Sequence, residues 1–431
     1  MFKQALTLLA IFVTSSVLLA APRNLILVNG TGETADWIDL EDSTIDLSVA
    51  LLGLTPNDFL VTGATGIAVN SGSHDLYFYD LPSLTPSGSL FLGNNRNPWT
   101  GEWLHDDTLV ITNWLTSTIS KIDVPGRAVI TEHAVGNGAQ SINHPQGIAI
   151  VGRKAYIAMS CFNDEYIYFP GKIEVFNLDA NLTEKRLGVG LNPQDIRIGY
   201  DGYLYAVCTG NYVDVFGKLY RIDPATDTVL DSLDIGGQPV NLAVTRQGVA
   251  YLAAGGWKPW PRDDRESGWG WASFNHSAAM GRPDSGLVYT VDLVSWTVLH
   301  GPGNPILTDY GVLTVKTISD STIISCNFQD DTITELDSAG TILARFHTGD
   351  GPTAVGKYPA CYIMRGDANG SGVINIADVV YLIGYSFGGG SPPVSRMAGD
   401  SDCNGLTNIA DIVYTIAYMF GGGPPPNCCA D

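Results

Sequence analysis

Residues Asn192–Gly237 read NPQDIRIGYDGYLYAVCTGNYVDVFGKLYRIDPATDTVLDSLDIGG. Four short runs in it, DIRI, YLYAVC, KLYRID and TVLDSLDIG, are apolar or alternate with polar residues, which is the pattern of strands. The joints between them are turn formers: DG, a Gly-containing loop and DPATD. No helical period runs through the stretch, so it predicts four strands in succession.

The same unit recurs on both sides. HPQGIAIVGRKAYIAMSC leads to KIEVFNLDANLTEKRLGVG, QPVNLAVTRQGVAYLAAGG to GLVYTVDLVSWTVLHGPG, and YGVLTVKTISDSTIISCN to TITELDSAGTILARFHTG. Pro145, Pro193 and Pro239 open successive units 48 and 46 residues apart. Two weaker units precede them, around TGATGIAVNSGSHDLYFYDL and DDTLVITNWLTSTISKIDV. GPTAVGKY (Gly351–Tyr358) has the form of an opening strand without successors, and Asn24 to about Leu52 supplies successors without an opener. Split ends that complete each other predict a closed ring, because closure removes the exposed sheet edges. The expected fold is therefore an all-β, seven-bladed β-propeller over residues 22–360, with six and eight blades as alternatives. The unit resembles the repeats of YVTN/NHL-type propellers: proline before the inner strand, a YLA-like second strand, and an I-D third strand followed by Thr.

Two inserts break the regularity, FNDEYIYFPG (Phe162–Gly171) and WKPWPRDDRESGWGWASFNHSAAMGRPDS (Trp257–Ser285). Both lie between second and third strands and should project from one face. The second carries Trp257, Trp260, Trp269 and Trp271, whose flat faces suit a carbohydrate or protein ligand. Packing of these rings onto the propeller rim is the simpler reading. Gln146, Gln194, Asp195, Gln238 and Asn241 are polar positions of inner strands that would line a central channel. The seven histidines, His144 and His276 among them, read as isolated surface residues. The chain has no HExxH, GxSxG or P-loop motif, so catalytic residues are not assigned.

Beyond about Ala360 the pattern changes. Asp367–Gly390 reads DANGSGVINIADVVYLIGYSFGGG and Asp400–Gly423 reads DSDCNGLTNIADIVYTIAYMFGGG, a duplication offset by 33 residues. Each copy opens with oxygen ligands at loop positions 1, 3, 5, 9 and 12 and glycine at position 6, the spacing of a 12-residue calcium loop. The first ligand set is Asp367, Asn369, Ser371, the Val373 carbonyl, Asn375 and Asp378. The second is Asp400, Asp402, Asn404, the Leu406 carbonyl, Asn408 and Asp411. Two calcium ions are expected. The second should bind more tightly, since its loop offers three carboxylates against two. A helix should follow each loop, Ile376–Phe387 and Ile409–Phe420, and end at GGG. Tyr362–Gly366 and Arg396–Gly399 are too short or too Gly-rich for entering helices.

A loop with only an exiting helix, duplicated, with Asn at position 9 and Asp at position 12, resembles the type I dockerin module. The resemblance covers about residues 363–427 within a 361–431 domain. It implies folding that depends on calcium and docking to a cohesin-like partner through positions 10 and 11 and the helix. Those positions are Ile376 and Ala377, then Ile409 and Ala410, identical in both copies, so either helix would serve. Many relatives have Ser or Thr there, and this chain departs from them.

The first residues, with Lys3, an apolar run from Ala5 to Leu19, and Ala20–Ala21, have the form of a cleaved signal peptide (1–21), which predicts a secreted or surface-associated protein. The run is too short for a membrane span. The net charge of −21 argues against nucleic acid and anionic membranes as partners. Cys161, Cys208 and Cys326 lie in apolar strand-like runs and read as buried thiols, while Cys361, Cys403, Cys428 and Cys429 lie in or beside the tail, where Cys403 with Cys428 or Cys429 is the favoured bridge. The functional expectation is a propeller used for binding and attached through a calcium-dependent module. The alternative is an extracellular hydrolase or lyase acting on polysaccharide, with a catalytic propeller.

Overall fold

A computed structural model describes residues 24–40, 42–105, 107–136, 143–245, 247–256, 285–319, 322–358, 365–371, 374–393, 396–402, 407–423 and 426. The strands form seven antiparallel sheets, one per blade of a β-propeller. The innermost strands are Pro352–Tyr358 for blade 1, then Pro56–Thr62, Pro98–His105, Asn143–Val151, Pro193–Ile198, Asn241–Val244 and Val312–Ser319 for blades 2 to 7. Each lies against the innermost strand of the next blade, so the ring is closed. The expected split is observed: Pro352–Tyr358 pairs with Asn24–Asn29 to complete blade 1. Blade 6 carries an additional short strand, Ile306–Thr308, paired with Gly286–Asp292.

Burial grades outward within a blade. The second strand, for example Leu204–Cys208, is buried along its whole length, whereas the fourth, Thr228–Asp234, is largely exposed. Both faces of a second strand are covered by neighbouring blades, which explains its continuous apolar run. The core is accordingly divided into seven clusters, one at each junction between blades. Tyr205, Leu219, Leu242, Leu252 and Tyr289 fill the junction of blades 5 and 6. Ile26, Val28, Phe59, Ala68 and Tyr79 fill that of blades 1 and 2.

The recurring I-D at the end of the third strand has a local cause. Asp39, Asp123, Asp223, Asp292 and Asp337 each accept a backbone N–H from the following turn, as Asn177 does in blade 4. That bond starts the hairpin into the fourth strand. A residue with left-handed backbone finishes it, among them Arg127, Asn181, Asp227 and Trp296.

The described tail contains helix α1 (Ile376–Gly388), a single turn α2 (Arg396–Gly399) and helix α3 (Ile409–Gly421). The two long helices stand where the sequence predicts them. The turn α2 corrects the expectation of no helix before the second loop: a Gly-ended run of four residues suffices for one turn but not for an entering helix. Gly389 and Gly422, at φ 67° and 66°, cap the long helices in the left-handed conformation. Among the described residues the buried apolar cluster of this region consists of Ala368, Val379, Leu382 and Ile412.

Candidate functional site

The tail loops are organised by the aspartate at loop position 12. Asp378 Oδ1 accepts the Asn369 N–H at 3.1 Å and Oδ2 accepts the Asn375 N–H at 2.8 Å. Asp411 repeats this with Asp402 at 3.2 Å and Asn408 at 2.7 Å. The carboxylate at position 12 thus ties positions 3 and 9 together and completes a capping box with Asn375 or Asn408. Asp367 Oδ1 accepts the Ser371 N–H at 2.8 Å, which brings positions 1 and 5 together. In the second loop one oxygen each of Asp400, Asp402 and Asp411 lie within 4.8 Å of one another. Burial raises the pKa of Asp378, with Asp367 adding to it, and burial raises that of Asp411, with Asp402 and Asp400 adding. Gathered carboxylates of this kind repel, and a divalent cation offsets the repulsion. Arg365 pairs with Asp400 at 2.7 Å and so joins the entry of the first loop to the second.

Asn375 and Asn408 turn their Oδ1 atoms onto the Ala377 and Ala410 N–H groups, both at 2.8 Å, and act as helix caps. Val373, Asn404 and Leu406 lie outside the described residues, as do Gly372, Gly405 and the four tail cysteines.

The helices behind the loops present apolar side chains to solvent. On α1, Ile376, Val380, Ile383 and Phe387 are exposed by 56, 62, 44 and 69 %; on α3, Ile409, Val413, Ile416 and Phe420 by 59, 59, 39 and 71 %. The spacing places each set on one stripe, and the two stripes are the same positions of the duplication.

In the propeller, several predicted channel residues instead tie blades together. Asn241 Nδ2 donates to Asp195 Oδ2 at 2.7 Å, and the Asn241 oxygen accepts the Val315 N–H at 2.9 Å, linking blades 5, 6 and 7. The buried Gln146 accepts Thr112 Oγ1 at its carbonyl, and Gln194 donates to the Tyr212 hydroxyl at 2.6 Å. Gln238 is half-buried.

The sequence reading missed a charged set on the same innermost strands: Asp58, Glu102, Arg197 and Lys316, which join Asp195. Burial raises the pKa of Glu102 and of Asp195, against the pull of Arg197. Crowding by the surrounding inner strands lowers that of Lys316, although the side chain keeps contact with solvent, and Arg197 adds to it. Arg197 pairs with Asp195 at 3.2 Å. These residues stand singly in different repeats, and the only signal in the chain is a charge within an otherwise apolar inner strand.

A row of rings occupies the face where innermost strands begin and second strands end. Trp99 stacks on Trp114 at 6.4 Å, Trp114 on His144 at 4.2 Å, His144 on Phe162 at 4.2 Å and Phe162 on Tyr166 at 5.7 Å. His144 is therefore a buried ring between two aromatics, which corrects its reading as a surface histidine; burial lowers its pKa. The insert after Phe162 is held as a turn by Asn163 Oδ1, which accepts the Ile167 N–H at 2.9 Å. Residues 257–284 of the Trp-rich insert, His276 included, lie outside the described residues. Cys161, Cys208 and Cys326 are buried free thiols as expected, and burial pushes the Cys326 thiol up to about 12.

No family model matches this chain. Antigen Lp49 of Leptospira interrogans serogroup Icterohaemorrhagiae serovar copenhageni is 38% identical over 84 residues, 17% of this chain and 18% of that protein. The match thus spans less than a fifth of that relative's length. Among solved structures, hydrazine synthase of Kuenenia stuttgartiensis superposes with a TM-score of 0.53 at 18% identity, covering 69% of this chain and 88% of that one. That likeness shows the propeller fold.

Proposed function

We propose that this protein is a secreted β-propeller used for binding, attached to a cohesin-like surface protein through a calcium-dependent, dockerin-like tail. The observation that carries the reading is the pair of equivalent apolar stripes, Ile376–Phe387 and Ile409–Phe420, each standing directly behind an aspartate-built loop. Among the described residues the buried cluster of the tail is small, and a core of that size contributes little stability alone, which supports a role for metal. Calcium held by Asp367, Asn369, Ser371 and Asp378 in the first loop, and by Asp400, Asp402 and Asp411 in the second, would neutralise the gathered carboxylates. The helices would then be fixed with their stripes facing outward.

The test is capture of partners from the surface fraction of the producing cell, using the full chain as bait with calcium or with chelator. A partner retained only with calcium, and lost when Val380 and Val413 are both replaced by Asp, supports docking. Ordering of the tail by calcium with no partner retained would reduce the module to a structural cap.

A further inference from the structure

Between blades 4 and 5 a cleft of about 170 Å³ opens on the face where second strands end. One wall is the end of the fourth strand of blade 4, Leu182–Leu191, with Pro170 beside it. The other is Val215 and Phe216 with the start of the third strand of blade 5, Lys218–Asp223. Cys208, the last residue of the second strand of blade 5, is buried at its floor.

The backbone keeps this cleft open. Gly190 has no side chain, and a Cβ there would stand 3.2 Å from the Tyr220 hydroxyl and 3.4 Å from Cys208 Cβ. The loop that carries Val215 is fixed by Asn211, whose Oδ1 accepts the N–H groups of Val213, Asp214 and Val215 at 3.1, 3.0 and 2.8 Å. The wall is therefore preformed, although Val215 and Phe216 keep 38 and 45 % of their surface exposed.

The chemistry of the lining is one-sided. Pro170, Val189, Leu191, Val215 and Phe216 are apolar, and no lining side chain is an acid or an amide. The polar side chains are Cys208, Lys218 and Tyr220, each of which carries a hydrogen to donate. Burial raises the pKa of Cys208 and of Tyr220, so both stay neutral. Lys218 is then the single charged group of the lining. It pairs with Asp234 at 2.9 Å, but the Asp234 side chain is 82 % exposed and is not part of the lining. Such a solvated pair is weak, and a second carboxylate can share or replace it.

An apolar cavity of about 150 Å³ takes one benzene ring. The cleft between blades 4 and 5 has that size, and apolar walls with few polar groups are the usual make-up of a small-molecule site. A ring in it meets one cation and hydrogen-bond donors, which together complement an anionic acceptor.

We propose that this cleft binds a small ring-bearing carboxylate of the benzoate class, its ring against Val189, Leu191 and Phe216 and its carboxylate on Lys218. The cleft belongs to the propeller, so this site and the docking role of the tail stand or fall independently.

Calorimetric titration of the full chain with benzoate, benzyl alcohol and benzylamine tests this. Benzoate should saturate at millimolar concentration, with benzylamine at least about tenfold weaker, because its ammonium meets Lys218. Lys218→Met keeps the apolar stem and removes the charge, so it should weaken benzoate about tenfold and leave benzyl alcohol unchanged. Gly190→Leu should abolish binding of all three by filling the floor of the cleft. No saturation by benzoate would overturn the proposal. So would benzylamine binding as tightly as benzoate, or benzoate binding unchanged in either folded variant. If a variant fails to fold, the wild-type comparison of benzoate with benzylamine decides alone.

Discussion

Leu27 lies opposite Val355 in the antiparallel pair that joins the first and last strands of the propeller. Next to them Ile26 faces Gly356, and a Cβ on Gly356 would stand 2.7 Å from Phe59 Cδ1 on the blade 2 inner strand. The closing strand therefore has room for no side chain there. Gly356→Val should lower stability by about 1–3 kcal/mol through overpacking. Thermal unfolding checks this, and an unchanged melting temperature would show that the junction of blades 1 and 2 yields.

Blades 4 and 5 are latched by Asp227. Its carboxylate accepts Lys154 Nζ at 2.6 Å and the buried Tyr156 hydroxyl. Burial opposes ionisation of Asp227, but the Lys154 and Tyr156 hydrogen bonds outweigh it and hold the pKa below the usual value. The Asp227 hydrogen bond raises the pKa of Lys154. For the depressed acid, the stability is present above the unfolded carboxylate value and lost as pH falls through the folded one. For the raised base, it is present below the unfolded lysine value and lost as pH rises through the folded one. Asp227→Asn should cost about 1.5–3 kcal/mol at neutral pH. Its deficit relative to wild type should shrink below about pH 4. Urea titrations at neutral and acid pH measure both, and a deficit that does not change with pH would assign the effect to packing.

The two tail loops differ in charge. Asp400, Asp402 and Asp411 make three carboxylates against Asp367 and Asp378 in the first loop. Calorimetry should resolve a tighter and a weaker calcium site, with Asp400→Ala removing the tighter and Asp367→Ala the weaker. Chelation should abolish the helical circular dichroism of α1 and α3 and leave the strand signal of the propeller. Helical signal that survives chelation would mean that the capping boxes of Asn375 and Asn408 hold the helices without metal.

The stripes on α1 and α3 are duplicates, so a partner that reads one can read the other. Val380→Asp alone, and Val413→Asp alone, should leave calcium-dependent capture within about twofold of wild type, since loss of one of two equivalent sites halves the binding capacity. The double variant should abolish it. Complete loss with one single variant would assign docking to that helix.

The propeller was largely legible because its signals are local. The DPATD turn needs only Asp223 and the backbone of the next residues, and LYAVC is apolar throughout because both faces of that strand are covered. Closure was legible too, since Asn24–Asn29 and Pro352–Tyr358 are complementary fragments of one repeat. The tail loops and helix boundaries follow from the Asp/Asn spacing and the capping residues, which are likewise local. The one-turn helix at Arg396–Gly399 was missed because so short an element has almost no periodicity.

By itself, the sequence determined the elements, their repeat and the duplicated Asp/Asn spacing of the tail, all of which depend on neighbours a few residues away. Only the tertiary structure decided what Glu102, Arg197 and Lys316 have in common, and that His144 lies sealed between Trp114 and Phe162. Those residues are remote along the chain and belong to different repeats, and closing the ring is the physical step that gathers them around one axis or onto one face.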